Sequence, residues 1–431
     1  MANKSFLKTH FPLICFILFS VLSILLFYIG PVDYNVESFT RLVVYLVFVH
    51  IGIIVGYLIG FRVVTSSDKS SRQFNQKCEM AFSIMAVCYI GTVLAMNLLI
   101  GFNPIAGLFN PGQARELWGQ KQGTLISYLS NWSEIFNIPL ISFCFSNWNY
   151  ISRKTRRITI GLVGLMAINS IATGARHSMF VVLFLVIHSL AAALISGRIK
   201  IQIAKSIIIF GILSILIIGV FSRITLARSG YGDETGEYFL EGGSAKELER
   251  IAVLRLGTIK SDNWLIQTVP TVLLPVALQG ASYLGHGYYG LCLALNMDFT
   301  GVGFGLGQSS FGNRMIERFL GVDLLKTISY PLRLYAENGY PTTAWSTSYT
   351  WLASDFTFSG SIVFLAAMAF IFGACWRRHL SEIDPIASSL VGYIALMFNQ
   401  LPLIFILQDP VSFICFYGLV IIFWWKFLRR N

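Results

Sequence analysis

Residues 40–61 read TRLVVYLVFVHIGIIVGYLIGF, with Arg62 directly after them. A run of this length without an acidic residue matches the roughly 20 apolar residues that carry an α-helix across the hydrocarbon core of a bilayer. Comparable runs recur at 11–30, 80–101, 132–149, 158–172, 179–196, 206–222, 356–376, 385–407 and 411–425, so the sequence predicts ten spans. The chain as a whole agrees: 55% of its 431 residues are hydrophobic, only 12% are charged, and the mean hydropathy is +0.66. Such a composition excludes a water-soluble enzyme, because these runs need lipid as their solvent.

The net charge of +11 does not point to nucleic acid. The basic residues fall in short clusters between apolar runs, at Arg62 to Lys77, Arg153 to Arg157, Arg198 to Lys205, Arg377 with Arg378, and Lys426 to Arg430. With Lys4 and Lys8 inside, ten spans put all five clusters on the side of the N-terminus, as the positive-inside rule requires. Both termini are then expected in the cytoplasm. The N-terminal stretch resembles a secretory signal but is long and lacks a small-x-small cleavage site, so it reads as a retained first span. Seven scattered cysteines without a Cys-x-x-Cys pair support neither a disulfide framework nor a zinc site.

This topology divides the chain into an N-terminal bundle of about seven spans (1–222), a large outer loop (223–355) and about three C-terminal spans (356–431). A second outer loop covers 102–131. Within the large loop, Ser244 and Glu247 form a candidate capping box opening an amphipathic helix over 245–260. Residues 264–280 and 283–296 are apolar but carry Pro270, Pro275, Gln267 and Gln279. Interfacial or re-entrant helices are favoured there, because 280–286 has no Lys or Arg to hold a cytoplasmic turn; a true hairpin would raise the count to twelve.

Several residues at the outer boundary have the chemistry of a site. Thr173-Gly174-Ala175-Arg176-His177 joins two spans with almost no loop, which puts Arg176 at or just under the surface. A guanidinium suits bidentate capture of phosphate oxygens; the alternative is that it snorkels to headgroups. Arg223 and Arg228 leave the seventh span at the same depth and could complete a cationic rim, or anchor headgroups. Arg314, Arg318 and Arg333 lie deeper in the loop, where a salt bridge to an acid such as Glu317 or Asp323 is the better expectation for any one of them.

Of the six histidines, only His177 and His286 are expected outside, where a proton acceptor would be useful. His286-Gly287-Tyr288-Tyr289-Gly290 permits close backbone approach and offers aromatic faces for sugars; a histidine that caps a turn is the competing reading. Further on, Tyr349, Thr350 and Asp355 enter the eighth span. Asp355 would orient an arginine or accept a sugar hydroxyl, or simply sit as an acid at a helix N-terminus. No span has Asp or Glu near its centre, and no Asp-x-Asp pair, Walker sequence or phosphate loop lies on the cytoplasmic side. Ion-coupled transport and direct use of nucleotide sugars are therefore not expected.

Taken together, the layout, the Thr-Gly-Ala-Arg-His turn at 173–177, the outer His286-Gly287-Tyr288-Tyr289-Gly290, and Tyr349-Thr350 followed by Asp355-Phe356 and Gly360 resemble the Wzy-type O-antigen or oligosaccharide repeat-unit polymerases of bacterial inner membranes. Thr357 stands where that family often has glycine. The resemblance implies a membrane glycosyltransferase of the lipid-phosphosugar type. It would transfer a growing glycan from one undecaprenyl pyrophosphate carrier to the next carrier-linked repeat at the periplasmic face. Arg176 with Arg223 or Arg228 would clamp the pyrophosphate, and His286 or His177 would take the hydroxyl proton. No cofactor or metal is implied. The partners are the lipid-linked oligosaccharide and membrane lipid, with a chain-length regulator left open and no nucleic acid. The nearest alternative is an O-antigen ligase; a lipid-linked oligosaccharide flippase fits less well, because no half-repeat is visible.

Overall fold

A computed structural model of the protein describes residues 2–36, 39–64, 76–99, 101–109, 117, 137–172, 176–199, 257–260, 262–270, 274–308, 310–321, 323–340 and 346–429. Arg223, Arg228, the expected span at 206–222, nearly all of the expected amphipathic helix at 245–260 and most of the loop at 102–131 lie outside the described residues.

The first half contributes α1 (Ala2–Ile29), α2 (Phe39–Val63), α3 (Gln76–Leu99), the short α4 (Pro104–Phe109), α5 (Asn137–Ser146), α6 (Arg153–Ala172) and α7 (Arg176–Ile195). The second half contributes α8 (Trp264–Thr268), α9 (Leu274–Ala294), α10 (Ser310–Leu320), α11 (Leu324–Ile328), α12 (Tyr330–Glu337), α13 (Ser348–Ser381), α14 (Pro385–Asn399) and α15 (Pro410–Leu428). Strand structure among the described residues is limited to one two-residue antiparallel ladder, Val32 opposite Ile259 and Asp33 opposite Thr258, which ties the α1–α2 turn to residues 257–260. Six described helices are long and apolar enough to cross a membrane: Phe6–Ile29, Phe39–Val63, Gln76–Leu99, His177–Ile195, Ser348–Ser381 and Pro410–Leu428. Helices satisfy their own backbone groups in lipid, and this chain is an all-α polytopic membrane protein.

The basic clusters gather at one end of the bundle. Trp376 Nε1 donates to Lys8 O, and Arg378 pairs with Asp384 at 2.9 Å, which Lys426 also approaches at 3.9 Å. Arg377 lies over the Phe61 ring beside Arg62, and Arg198 donates to the carbonyls of His379 and Glu382. The described chain thus begins and ends at the same end of the bundle. Burial weakens the charge on Arg198, lowering its pKa to about 10, so it remains cationic at neutral pH.

At the centre, every residue of α14 is buried. It is only 15 residues long because the apolar run predicted at 385–407 breaks after Asn399. Pro402 cannot continue a helix, and the chain turns through a 3₁₀ segment, Ile406–Gln408, before Asp409 caps α15 by accepting from Ser412 N. Around it, α5 packs close enough that Ser142 Oγ donates to Ser388 O and Ser389 Oγ to Pro139 O. The closest helix pair is α2 with α13. A Cβ on Gly56 or Gly60 would overlap the carbonyl of Ala366 or Phe370, and one on Gly373 would overlap that of Tyr57. Small residues at a spacing of four let backbones touch in lipid, where dispersion and weak polar contacts hold helices together.

Residues 274–294 form one continuous helix, so no hairpin turns at 280–286. That helix lies along the half of α1 nearer Ile29, with Tyr288 fully buried and its hydroxyl 3.0 Å from Ser23 Oγ.

Candidate functional site

The polar centre of interest lies at the end of the bundle away from the basic clusters, where α13 begins. Thr347 is its N-cap, the helix runs to Phe356, and it breaks at Thr357, whose φ of 67° and ψ of 167° are non-helical. That conformation belongs to a region populated almost entirely by glycine, and a threonine in it is strained. Helix then resumes, with Thr357 Oγ1 accepting from Gly360 N at 3.2 Å.

Just before the break, Asp355 is 1% exposed. A glycine-rich loop, Gly301-Val-Gly-Phe-Gly-Leu-Gly307, wraps it. Gly303 N donates to Ser354 O and Gly307 N donates to Asp355 Oδ1, both at 2.8 Å. The glycines are required: a Cβ on Gly303 would sit 2.6 Å from Oδ1, and one on Gly307 would sit 3.1 to 3.2 Å from all three carboxyl atoms. Gln308, next in the chain, is held by Tyr417 of α15, which donates to its Oε1 at 2.7 Å. The loop is therefore fixed on one side to α13 and on the other to α15.

The second carboxyl oxygen, Oδ2, is buried with no partner among the described residues. So are the hydroxyls of Ser346, Thr347 and Tyr349 and both amide atoms of Gln400. Buried polar groups are nearly always satisfied, since each orphan costs about 1–3 kcal/mol. Ser346, Thr347 and Tyr349 stand where α13 starts, Gln400 where α14 ends and Asp355 two turns into α13, so this end of the bundle holds several buried polar groups without a described partner.

The residues expected from sequence divide into four groups. His286 is buried on α9, with Nδ1 2.7 Å from Ser282 O. Its neighbour Gly287 abuts Pro402 O and Thr347, and Tyr340 OH donates to His286 O at 3.4 Å, so α9 brings the histidine to the edge of this polar centre. Burial beside Tyr335, Tyr34 and Tyr289 pushes the Tyr340 hydroxyl pKa up.

Tyr288 faces the helix core, and its ring is inaccessible to a sugar. Tyr289 stacks on Tyr34 and Tyr340. Tyr349 is wholly buried, edge-on to Tyr45, and Thr350 donates to Thr347 O at 2.7 Å.

Arg333 serves the fold. It forms a two-point pair with Glu337 at 2.8 and 3.3 Å and donates to Asp298 O at 2.8 Å. The acid is Glu337 rather than Glu317 or Asp323, because one helical turn separates them; Asp323 pairs with Lys326.

Arg176 opens α7 and His177 follows it, half-buried. Leu185 packs at Gly392 and Arg198 reaches the α13 terminus, so α7 runs antiparallel to α14 and its first turn lies toward the Asn399 end. Arg314 lies on α10; Arg223 and Arg228 lie outside the described residues, and the Arg314 side chain is likewise undescribed.

Sequence reading missed the Gly301–Gly307 loop and Gln400. Four glycines at alternate positions were the available signal for the loop. Gln400 carried none, since its place follows from where α14 ends. The fold and site define a polytopic α-helical membrane protein with a buried carboxylate at one end of its bundle. Compared with protein-family models, curated proteins and solved structures, the chain matches none of them.

Proposed function

We propose that this protein is a Wzy-type polymerase that joins undecaprenyl-pyrophosphate-linked oligosaccharide repeats at the periplasmic face of a bacterial inner membrane. The observation that carries the reading is the buried Asp355 carboxylate, with one oxygen held by the glycine loop and the other left without a described partner. A second support is Thr357, whose backbone suits the glycine that the resembled family often has there.

In this reading an acceptor sugar hydroxyl attacks the anomeric carbon of the donor glycan. The new glycosidic C–O bond forms as the bond to the pyrophosphate oxygen breaks, and undecaprenyl pyrophosphate leaves. Asp355 Oδ2 receives or orients the hydroxyl proton, with His286 as the alternative acceptor. Arg176, with Arg223 or Arg228, offsets the charge developing on the leaving pyrophosphate. Substrate reaches Oδ2 when the 301–308 loop parts from α13.

The test is gel analysis of lipopolysaccharide from a deletion strain complemented with the wild-type gene, Asp355→Asn or Arg176→Ala, each confirmed as inserted in the membrane. Wild type restores a ladder, and each variant leaves core carrying one repeat. A deletion strain with bare core would identify a ligase instead, and an ordinary ladder from both variants would remove Asp355 and Arg176 from the mechanism.

A further inference from the structure

The α2–α13 pair closes at Gly52, Gly56 and Gly60, and large side chains replace glycine on α2 above them. A Cβ on Gly52 would meet Ile362 Cγ2 at 3.2 Å, and four residues earlier Phe48 and Phe358 line an open groove. Tyr45 bridges the two helices there, its hydroxyl 2.7 Å from Ser361 Oγ. The result is a cleft of about 360 Å³, lined by Thr40, Arg41, Val44, Phe48, Phe358 and Ile362 among others. From Arg41 to Phe48 the helix rises about 10 Å, so the cleft descends that far from the helix end into the membrane-crossing region.

The lining is divided along this depth. Arg41 and Thr40 sit at the mouth; below them the lining is hydrocarbon apart from Tyr45 and Ser359, the latter level with Phe48 in the register set by Gly52 against Ile362. Arg41 stands at the end of the bundle away from the basic clusters. It is held in place, because Nη1 donates to Asn296 Oδ1 at 2.9 Å and to Leu295 O at 3.4 Å at the end of α9. Its Nε and Nη2 make no bond to a described residue. That free edge is the one through which a guanidinium grips two phosphate oxygens at once.

We infer that this cleft is a binding site for an anionic glycerophospholipid, with the headgroup phosphate on the Nε–Nη2 edge of Arg41 and one acyl chain between Val44, Phe48 and Ile362. Charge and polarity both match: Arg41 and the Thr40 hydroxyl at the mouth, mostly hydrocarbon below, and access from the lipid side, where Val44 and Phe48 are exposed. The bound lipid would sit against the α13 segment that breaks at Thr357, and would bridge α2 and α13 above Gly52. The site is independent of the polymerase reading, because it uses none of the residues assigned to glycosyl transfer.

The experiment is native mass spectrometry of the full chain, delipidated in detergent and titrated with phosphatidylglycerol, phosphatidylcholine or undecaprenyl phosphate. Wild type is expected to retain one phosphatidylglycerol with a preference of about tenfold over phosphatidylcholine, because both offer the same phosphate but the choline ammonium brings a second cation beside Arg41. Arg41→Gln should erase the preference, and Val44→Trp, which fills the apolar part from the lipid side, should weaken both phospholipids. Retention of the preference in Arg41→Gln, equal binding of the two phospholipids to wild type, or preferential retention of undecaprenyl phosphate would each overturn the assignment.

Discussion

Gly307→Ala tests the cradle around Asp355 without touching the carboxylate itself. The φ of Gly307 lies outside the left-handed region, so alanine is tolerated by the backbone and the effect must come from its methyl group. That carbon would stand 3.1 Å from Oδ1 and 3.2 Å from Cγ and Oδ2, a few tenths of an ångström inside ordinary contact, and the carboxyl group must turn or retreat. Its bond from Gly307 N, 2.8 Å long, is then stretched or lost. A hydrogen bond to a charged group contributes about 1.5–3 kcal/mol, so a site that depends on this placement slows by about ten- to a hundredfold. Gly303→Ala, with its Cβ only 2.6 Å from Oδ1, should be the more severe of the two. The assay is the rate of polymer formation from lipid-linked repeats in membranes containing equal amounts of protein. Gly280→Ala, an exposed position on α9 with nothing within 4 Å, serves as the control and should polymerise normally. Wild-type rates from both Gly303→Ala and Gly307→Ala would refute the argument that the cradle positions Asp355.

Gly56→Leu should loosen the α2–α13 contact, since its side chain would have to displace the Ala366 backbone; a cost of about 1–3 kcal/mol is expected for overpacking. Thermal unfolding of purified protein should show a lowered Tm, while Gly91→Leu, exposed with open space around it, should not. At Thr357 the usual helix ranking should reverse. Alanine keeps the strained φ and loses the bond to Gly360 N, whereas glycine loses the bond but relieves about 1–3 kcal/mol of strain. Thr357→Gly should therefore be more stable than Thr357→Ala, and a higher Tm for the alanine variant would show that the backbone break is not strained.

Much of the bundle was legible because lipid imposes a simple rule: apolar runs of sufficient length become helices, and lysine and arginine collect at one end. Long helices cover the runs at 40–61, 356–376 and 411–425 and all but the last residue or two of those at 11–30, 80–101 and 179–196, and the clusters around Arg62, Arg198, Arg377 and Lys426 meet at one end of the bundle. The rule fails where burial inside protein replaces contact with lipid. The run at 385–407 satisfies it by composition, yet α14 is enclosed on all sides and is free to stop at Asn399. The same cause obscured the site. Tyr288 and Tyr349 are boundary aromatics by pattern and core residues in fact, because α9 packs against α1 instead of lying on the surface. Arg333 is a basic loop residue by position, but its role depends on a glutamate one turn away and on the Asp298 carbonyl and Thr300 hydroxyl, 35 and 33 residues back in the chain.

Asp355 is positioned from two directions that do not depend on one another. On the far side of the break, α13 from Phe358 onward is clamped to α2 through backbone contacts at Gly56, Gly60 and Gly373, which leave little room for that segment to slide. On the near side, the first turns are held by Ser348 N donating to Leu401 O, by Ser354 Oγ accepting from Tyr330 N, and by the glycine loop. Only Thr357 lies between these two anchored bodies with non-helical torsions. Any motion that opens Asp355 to a substrate must therefore leave the clamped segment in place and use either the Thr357 torsions or the loop. The loop is the lighter of the two to move. Its described anchors at residues 303–308 include two bonds from backbone amides to α13, contacts of Gly305 and Gln308 with the Asp355 carboxyl, a long amide contact from Gln408 at 3.4 Å and the bond from Tyr417, whereas turning the first part of α13 would also break its contacts with α12 and α14. Under the proposed function, access to the carboxylate is expected through the side of the cradle that carries Gly301 to Gln308, where every second residue is glycine.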